Sequence, residues 1–133
     1  MNQQDNPPST QDGGAERREF RRLAAGARVR YQAMSLRRTE REYLKGIAAD
    51  VSLGGMFIAS RHTFPVGTPV TLEFHARAEG GSAPVRAHAV VCWRRRWLRP
   101  RGMGVRFVEF EFLGQRRLES WLDTVLERQS ISA

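Results

Sequence analysis

Cysteine occurs once, as Cys92, and lysine once, as Lys45, in a chain of 133 residues. A single cysteine excludes an internal disulfide. Its neighbours Val90, Val91 and Trp93 mark it as a packed thiol rather than a nucleophile. No apolar run approaches the roughly 20 residues that a membrane helix needs, and the first residues are polar. Neither a secretory signal nor membrane insertion is therefore expected, and the expected location is the cytoplasm. The sequence also lacks a phosphate-cradling P-loop, a G-x-S-x-G nucleophile turn, paired carboxylates suited to acid–base work, and internal repeats. These gaps argue against an enzyme, so no catalytic residue, metal or cofactor is expected.

What is present is positive charge. Lys and Arg total 22 against 14 Asp and Glu, a net +8, and nearly all the cations are arginine. Arginine forks suit planar, bidentate recognition of anions. The charge alone predicts a polyanionic partner without choosing among nucleic acid, an acidic protein and a nucleotide. Length and a hydrophobic content of 41% fit one domain with one modest core.

Residues 1–15 are polar, hold Pro7, Pro8, Gly13 and Gly14, and read as a disordered tail. Residues 16–26 read as an arginine-rich arm. From Ala27 the texture becomes β-like, with Val29, Tyr31 and Ala33 alternating with Arg28, Arg30 and Gln32. Tyr43–Val51 and Met56–Ala59 follow as strands, and Pro65–Pro69 as a turn. Two alternating runs, Val70–Ala78 and Val85–Trp93, predict a hairpin. Ala78 is expected opposite Val85, Leu72 near Val91 and Phe74 near Ala89. That register sets His75 against His88 with Glu73 on the same face, a cluster read as solvent-facing rather than a zinc site. Arg94–Gly102 reads as a basic hairpin tip. A change of apolar parity after Phe107 predicts a bulge or strand end at Val108. Leu118, Trp121, Leu122, Val125 and Leu126 fall at helical spacing over 115–129. The expectation is a mainly β, six-stranded antiparallel barrel over 27–112, closed at one end by the C-terminal helix.

Two stretches carry the candidate chemistry. Glu16-Arg17-Arg18-Glu19-Phe20-Arg21-Arg22 offers guanidinium forks for phosphates and purine edges. Asp50-Val51-Ser52-Leu53-Gly54-Gly55 offers a carboxylate, a hydroxyl and glycines. Read together as R-x-x-x-R followed by D-x-S-x-x-G, with the later Gly104-Val105-Arg106-Phe107, they resemble the PilZ domain, a bacterial receptor module for cyclic di-GMP. The resemblance implies a split-barrel fold and a nucleotide-binding, non-enzymatic role. It implies that Arg18 and Arg22 grip phosphate or the guanine O6/N7 edge, with Arg17 adding a contact. Arg17 with Arg21 is also a formal match; Arg22 is preferred because apolar Leu23 follows it. Asp50 would accept from guanine N1 and N2, and Ser52 would bond the base or a phosphate. Gly55 would let the ligand approach the backbone, and Gly54 would shape the turn. One or two stacked dinucleotides fit the same arginines. A downstream protein partner is implied but not identified.

Two other readings stay open. Trp93 and Trp97 straddle three arginines, as in a small basic barrel that binds single-stranded nucleic acid. A PilZ-like interaction module without a ligand is the other.

Overall fold

The computed structural model describes residues 23–34, 43–78 and 81–132. The strands are β1 (Leu23–Ala33), β2 (Leu44–Val51), β3 (Gly55–Ala59), β4 (Pro69–Ala78), β5 (Gly81–Arg95) and β6 (Gly102–Phe110). One helix, α1 (Gly114–Ser132), follows. Every strand pairs antiparallel with its neighbours, and the sheet closes as a barrel in the order β1-β2-β3-β6-β5-β4.

The alternation seen in the sequence decides which side chains fill the barrel. Val29, Tyr31, Val70, Leu72, Phe74, Val85, Ala87, Ala89, Val91, Met103 and Val105 are buried in one core. Leu118, Trp121 and Leu122 bring the apolar stripe of α1 onto that core, and the Trp121 ring lies 5.7 Å from Phe74. α1 packs chiefly on β4 and β5, at the end of the barrel where β6 finishes. The opposite end carries the β5–β6 hairpin tip and the 60–68 loop.

Several expectations need correction. β1 begins at Leu23, so residues 23–26 are strand rather than arm. The remainder of the arm and the tail lie outside the described residues. α1 runs from Gly114 to Ser132, beyond the expected 115–129.

The β4–β5 hairpin turns earlier than expected. Ala78 pairs with Gly81, Leu72 with Ala87 and Phe74 with Val85. Gly81, at φ 126°, permits this tight reversal. The register differs from the expected one by four residues, an even number, so the buried faces still match. Pro84 is consequently inside β5, opposite His75, where its missing N–H faces away from β4. The Arg117 guanidinium donates to its carbonyl at 2.7 Å. His75 and His88 are separated by the same shift. His88 pairs with Thr71 across the strands, and its Nε2 lies 3.5 Å from a Glu111 carboxylate oxygen. Glu73 instead bridges two arginines, Arg30 at 3.3 Å and Arg86 at 3.0 Å.

The predicted bulge is present: two residues of β5, His88 and Ala89, face Glu109 and Phe107, leaving Val108 as the extra residue. Further irregularities, unpredicted, sit between Ala24 and Ala27 in β1, at Ala49 in β2 and at Cys92 in β5.

Candidate functional site

The bulges determine which way the candidate residues face. Ala48 is buried in the core, and an unbroken pleat would turn Asp50 inward with it. The extra residue Ala49 reverses the parity, so Val51 points into the core and Asp50 outward, half-buried. On β1 a matching irregularity between Ala24 and Ala27, with Gly26 at φ 69°, keeps Ala24 opposite Asp50.

Ser52 builds the turn that follows. Its backbone N–H donates to the Gly55 carbonyl at 2.8 Å. Its hydroxyl oxygen accepts from the Gly54 and Gly55 N–H groups at 3.2 and 3.3 Å, and the hydroxyl donates to the Gly55 carbonyl at 3.4 Å. At 3% exposure, Ser52 has its hydrogen-bonding capacity committed to the turn. The Gly54 carbonyl accepts from the Phe107 N–H at 2.8 Å, which fastens the turn to β6. A Cβ on Gly55 would overlap the Val105 carbonyl oxygen. This glycine is therefore required by the β3–β6 contact, a structural role alongside the ligand approach implied by the resemblance.

Across the outer surface from Asp50 the paired residues run Phe57, Gly104, Trp93. The bulge at Cys92 swings Trp93 out of the core face on which simple alternation put it. Its indole lies over Gly104, where a Cβ would overlap the ring, and stacks on Phe57 with centroids 5.1 Å apart and planes 15° from parallel. The Arg95 guanidinium lies 5.9 Å from the Phe57 centroid and 5.8 Å from that of Trp93. Trp93 is only 7% exposed, and its Nε1–H is buried with no acceptor among the described residues. A ring so covered offers no face to a nucleobase, which weakens the reading in which Trp93 and Trp97 stack bases together.

Sequence reasoning missed the Phe57–Trp93–Arg95 stack. The available signal was Gly104, a glycine midway along an otherwise bulky strand, which marks a close approach by a large group.

On the β6 side of the turn a groove of about 650 Å³ is lined by Ser52, Gly54, Gly55, Trp93 and Arg106, among others. The structure thus brings Asp50, Ser52, Gly54 and Gly55 together on one outward turn. Arg17, Arg18 and Arg22 lie outside the described residues. Leu23, the residue bonded to Arg22, pairs with Val51, so the chain joins β1 directly beside the turn.

The described residues hold no cluster of three metal-ligating side chains, and no helix among them is long and apolar enough to cross a membrane. The described residues thus form a small closed barrel of six antiparallel strands with one C-terminal helix, and an outward carboxylate stands beside its glycine-rich turn. The family model for the PilZ domain matches residues 16–123, and the chain belongs to that family. A comparison with curated proteins returned no match. Among solved structures the chain is similar to the Bacillus subtilis inhibitor of motility MotI/DgrA, with a TM-score of 0.66 and 20% identity. That match covers 88% of this chain and 53% of the other, so the chain spans about half the length of MotI/DgrA. It is also similar to the PilZ domain of CeSA from a cellulose-synthesising bacterium, with a TM-score of 0.46, 15% identity, and coverage of 81% and 97%.

Proposed function

We propose that this PilZ domain is a receptor for cyclic di-GMP in bacterial second-messenger signalling, acting as an adaptor on a motility, biofilm or envelope target. The observation that carries the reading is the β1–β2 register. Pairing Leu23 with Val51 and Ala24 with Asp50 brings the chain from the R-x-x-x-R segment to the edge of the D-x-S-x-x-G turn. Arg18 and Arg22 grip phosphates or the O6/N7 edge of guanine, and Arg17 adds a contact. Asp50, turned outward by its bulge, accepts from guanine N1 and N2. Ser52, Gly54 and Gly55 hold the rigid turn against which the ligand rests. Ligand binding orders residues 16–22 across the barrel and changes the surface that a protein partner meets.

Calorimetric titration of the full chain with cyclic di-GMP tests this, with a linear oligonucleotide as control. Arg18→Ala, Arg22→Ala and Asp50→Ala should each weaken binding roughly ten- to a hundredfold, the effect of losing one charged hydrogen-bond set. Undiminished affinity in all three would place the ligand elsewhere. Amide exchange over residues 10–25 tests the ordering step separately: unchanged protection on ligand addition would remove the switch while leaving the receptor.

A further inference from the structure

The far end of the barrel carries a second feature, which does not depend on the cyclic di-GMP reading. Between β5 and β6 the chain runs Arg94-Arg95-Arg96-Trp97-Leu98-Arg99-Pro100-Arg101. The hairpin is held at its base, where Arg95 pairs with Gly102 and the Ser60 N–H donates to the Arg101 carbonyl at 3.0 Å. At its apex Trp97 is 86% exposed and Leu98 is 71% exposed. Arg96 and Arg99 flank them and are exposed too. Lys45 and Arg61 add exposed cations at the same end of the barrel. No Asp or Glu stands between Glu79 and Glu109, and among the described residues none of the tip arginines forms an ion pair.

We propose that this tip seats the domain on an anionic phospholipid bilayer, with Trp97 and Leu98 entering the headgroup region and the arginines meeting lipid phosphates. Adjacent exposed Trp and Leu side chains at the apex of a braced hairpin are out of place in water. Both partition favourably into a bilayer surface, where Trp is at home among the headgroups. The surrounding cations supply attraction to an anionic leaflet. A strand of nucleic acid fits the tip less well. Trp97, the exposed ring of the tip, already has the Arg96 guanidinium 5.5 Å from its centroid, and Leu98 adds nothing to base stacking or phosphate contact. This is a shallow surface contact made by a loop.

The test is vesicle flotation with the full chain. It compares phosphatidylcholine vesicles with vesicles containing about one-third phosphatidylglycerol. The expected result is binding to the anionic vesicles only, with a blue shift of Trp97 fluorescence. The double variant Trp97→Ser/Leu98→Ser should bind at least tenfold more weakly, and Arg96→Ala or Arg99→Ala about fivefold more weakly each. All four side chains are exposed, so the variants should keep the wild-type circular dichroism and melting temperature. Asp50→Ala should bind vesicles like the wild type. Absence of vesicle binding would overturn the proposal. So would equal binding by Trp97→Ser/Leu98→Ser, because charge alone would then be acting. Tight binding of a single-stranded oligonucleotide, lost in the tip variants while vesicle binding is retained, would assign the tip to nucleic acid instead.

Discussion

The two ends of the barrel are built in opposite ways. At the motif end the turn uses its polar groups inside the protein: the Ser52 hydroxyl and N–H close the turn, and the Gly54 carbonyl ties it to Phe107. At the tip end the hairpin is braced at its base, and its apex presents Trp97, Leu98 and exposed arginines to water. A turn with its hydrogen bonds already made suits a small ligand of defined shape, since little is left to order on binding. An apex of loose charge and apolar surface suits a broad target that makes no demand on shape.

Substitutions can break this contrast, beginning with glycine. Gly55→Val should cost on the order of 3 kcal/mol in urea denaturation, because its branched side chain has the Val105 carbonyl in its path. Trp97→Ser at the other end should change stability by no more than about 0.5 kcal/mol. Equal losses would show that the motif end is no more rigid than the tip.

Ser52→Ala removes the acceptor of the Gly54 and Gly55 N–H groups. It should lower stability by about 1–3 kcal/mol and weaken cyclic di-GMP binding with it. A stable Ser52→Ala protein with weakened binding would instead make the serine a ligand contact rather than a brace.

At the tip end Tyr31 is the exception, a buried polar group with internal partners. Its hydroxyl donates to the His62 carbonyl and lies 2.8 Å from Ser60 Oγ, holding the 60–62 loop beneath the hairpin. Tyr31→Phe should cost about 1–2 kcal/mol at neutral pH. Burial raises the phenol above its ordinary value of 10.0, against a smaller lowering by the Ser60 hydrogen bond. The folded state therefore favours the neutral phenol. The stability this contributes is complete below pH 10.0 and is lost as pH rises through the raised folded value. Thermal melts above pH 10 should fall more steeply for the wild type than for Tyr31→Phe.

The smallest effect should come from the wall between the ends. Glu73→Gln loosens the contacts to Arg30 and Arg86, which are 53% and 55% exposed. The cost should be about 0.5 kcal/mol or less and should shrink further in salt.

Much of the barrel was legible in the sequence because alternation reports burial directly. The β4–β5 strands were placed four residues out of register, yet Leu72, Phe74, Val85 and Ala87 still fell on the buried face, because an even shift preserves parity. Only an odd insertion changes faces, and single-residue bulges leave little trace. Val108 was anticipated because an apolar series visibly changed phase at it. Ala49 and Cys92 were not, since small or neutral residues fit either face. Those two positions decide that Asp50 and Trp93 look outward. The motif itself was legible as residue types at a spacing. The division of labour within it was not, because a serine followed by glycines reads alike whether it binds a ligand or folds a turn.

The closure of the barrel carries one more consequence. Among the described residues the hydrogen-bonding ladder runs round without a gap along its middle. Where β5 extends past β6, the Glu111 N–H takes the Arg86 carbonyl and Arg117 takes that of Pro84. Along that middle a visiting peptide finds no bare backbone to zip onto. Any protein that docks on the described wall must read outward-facing side chains instead. Specificity for such a target can therefore drift by surface substitution while the scaffold beneath stays untouched.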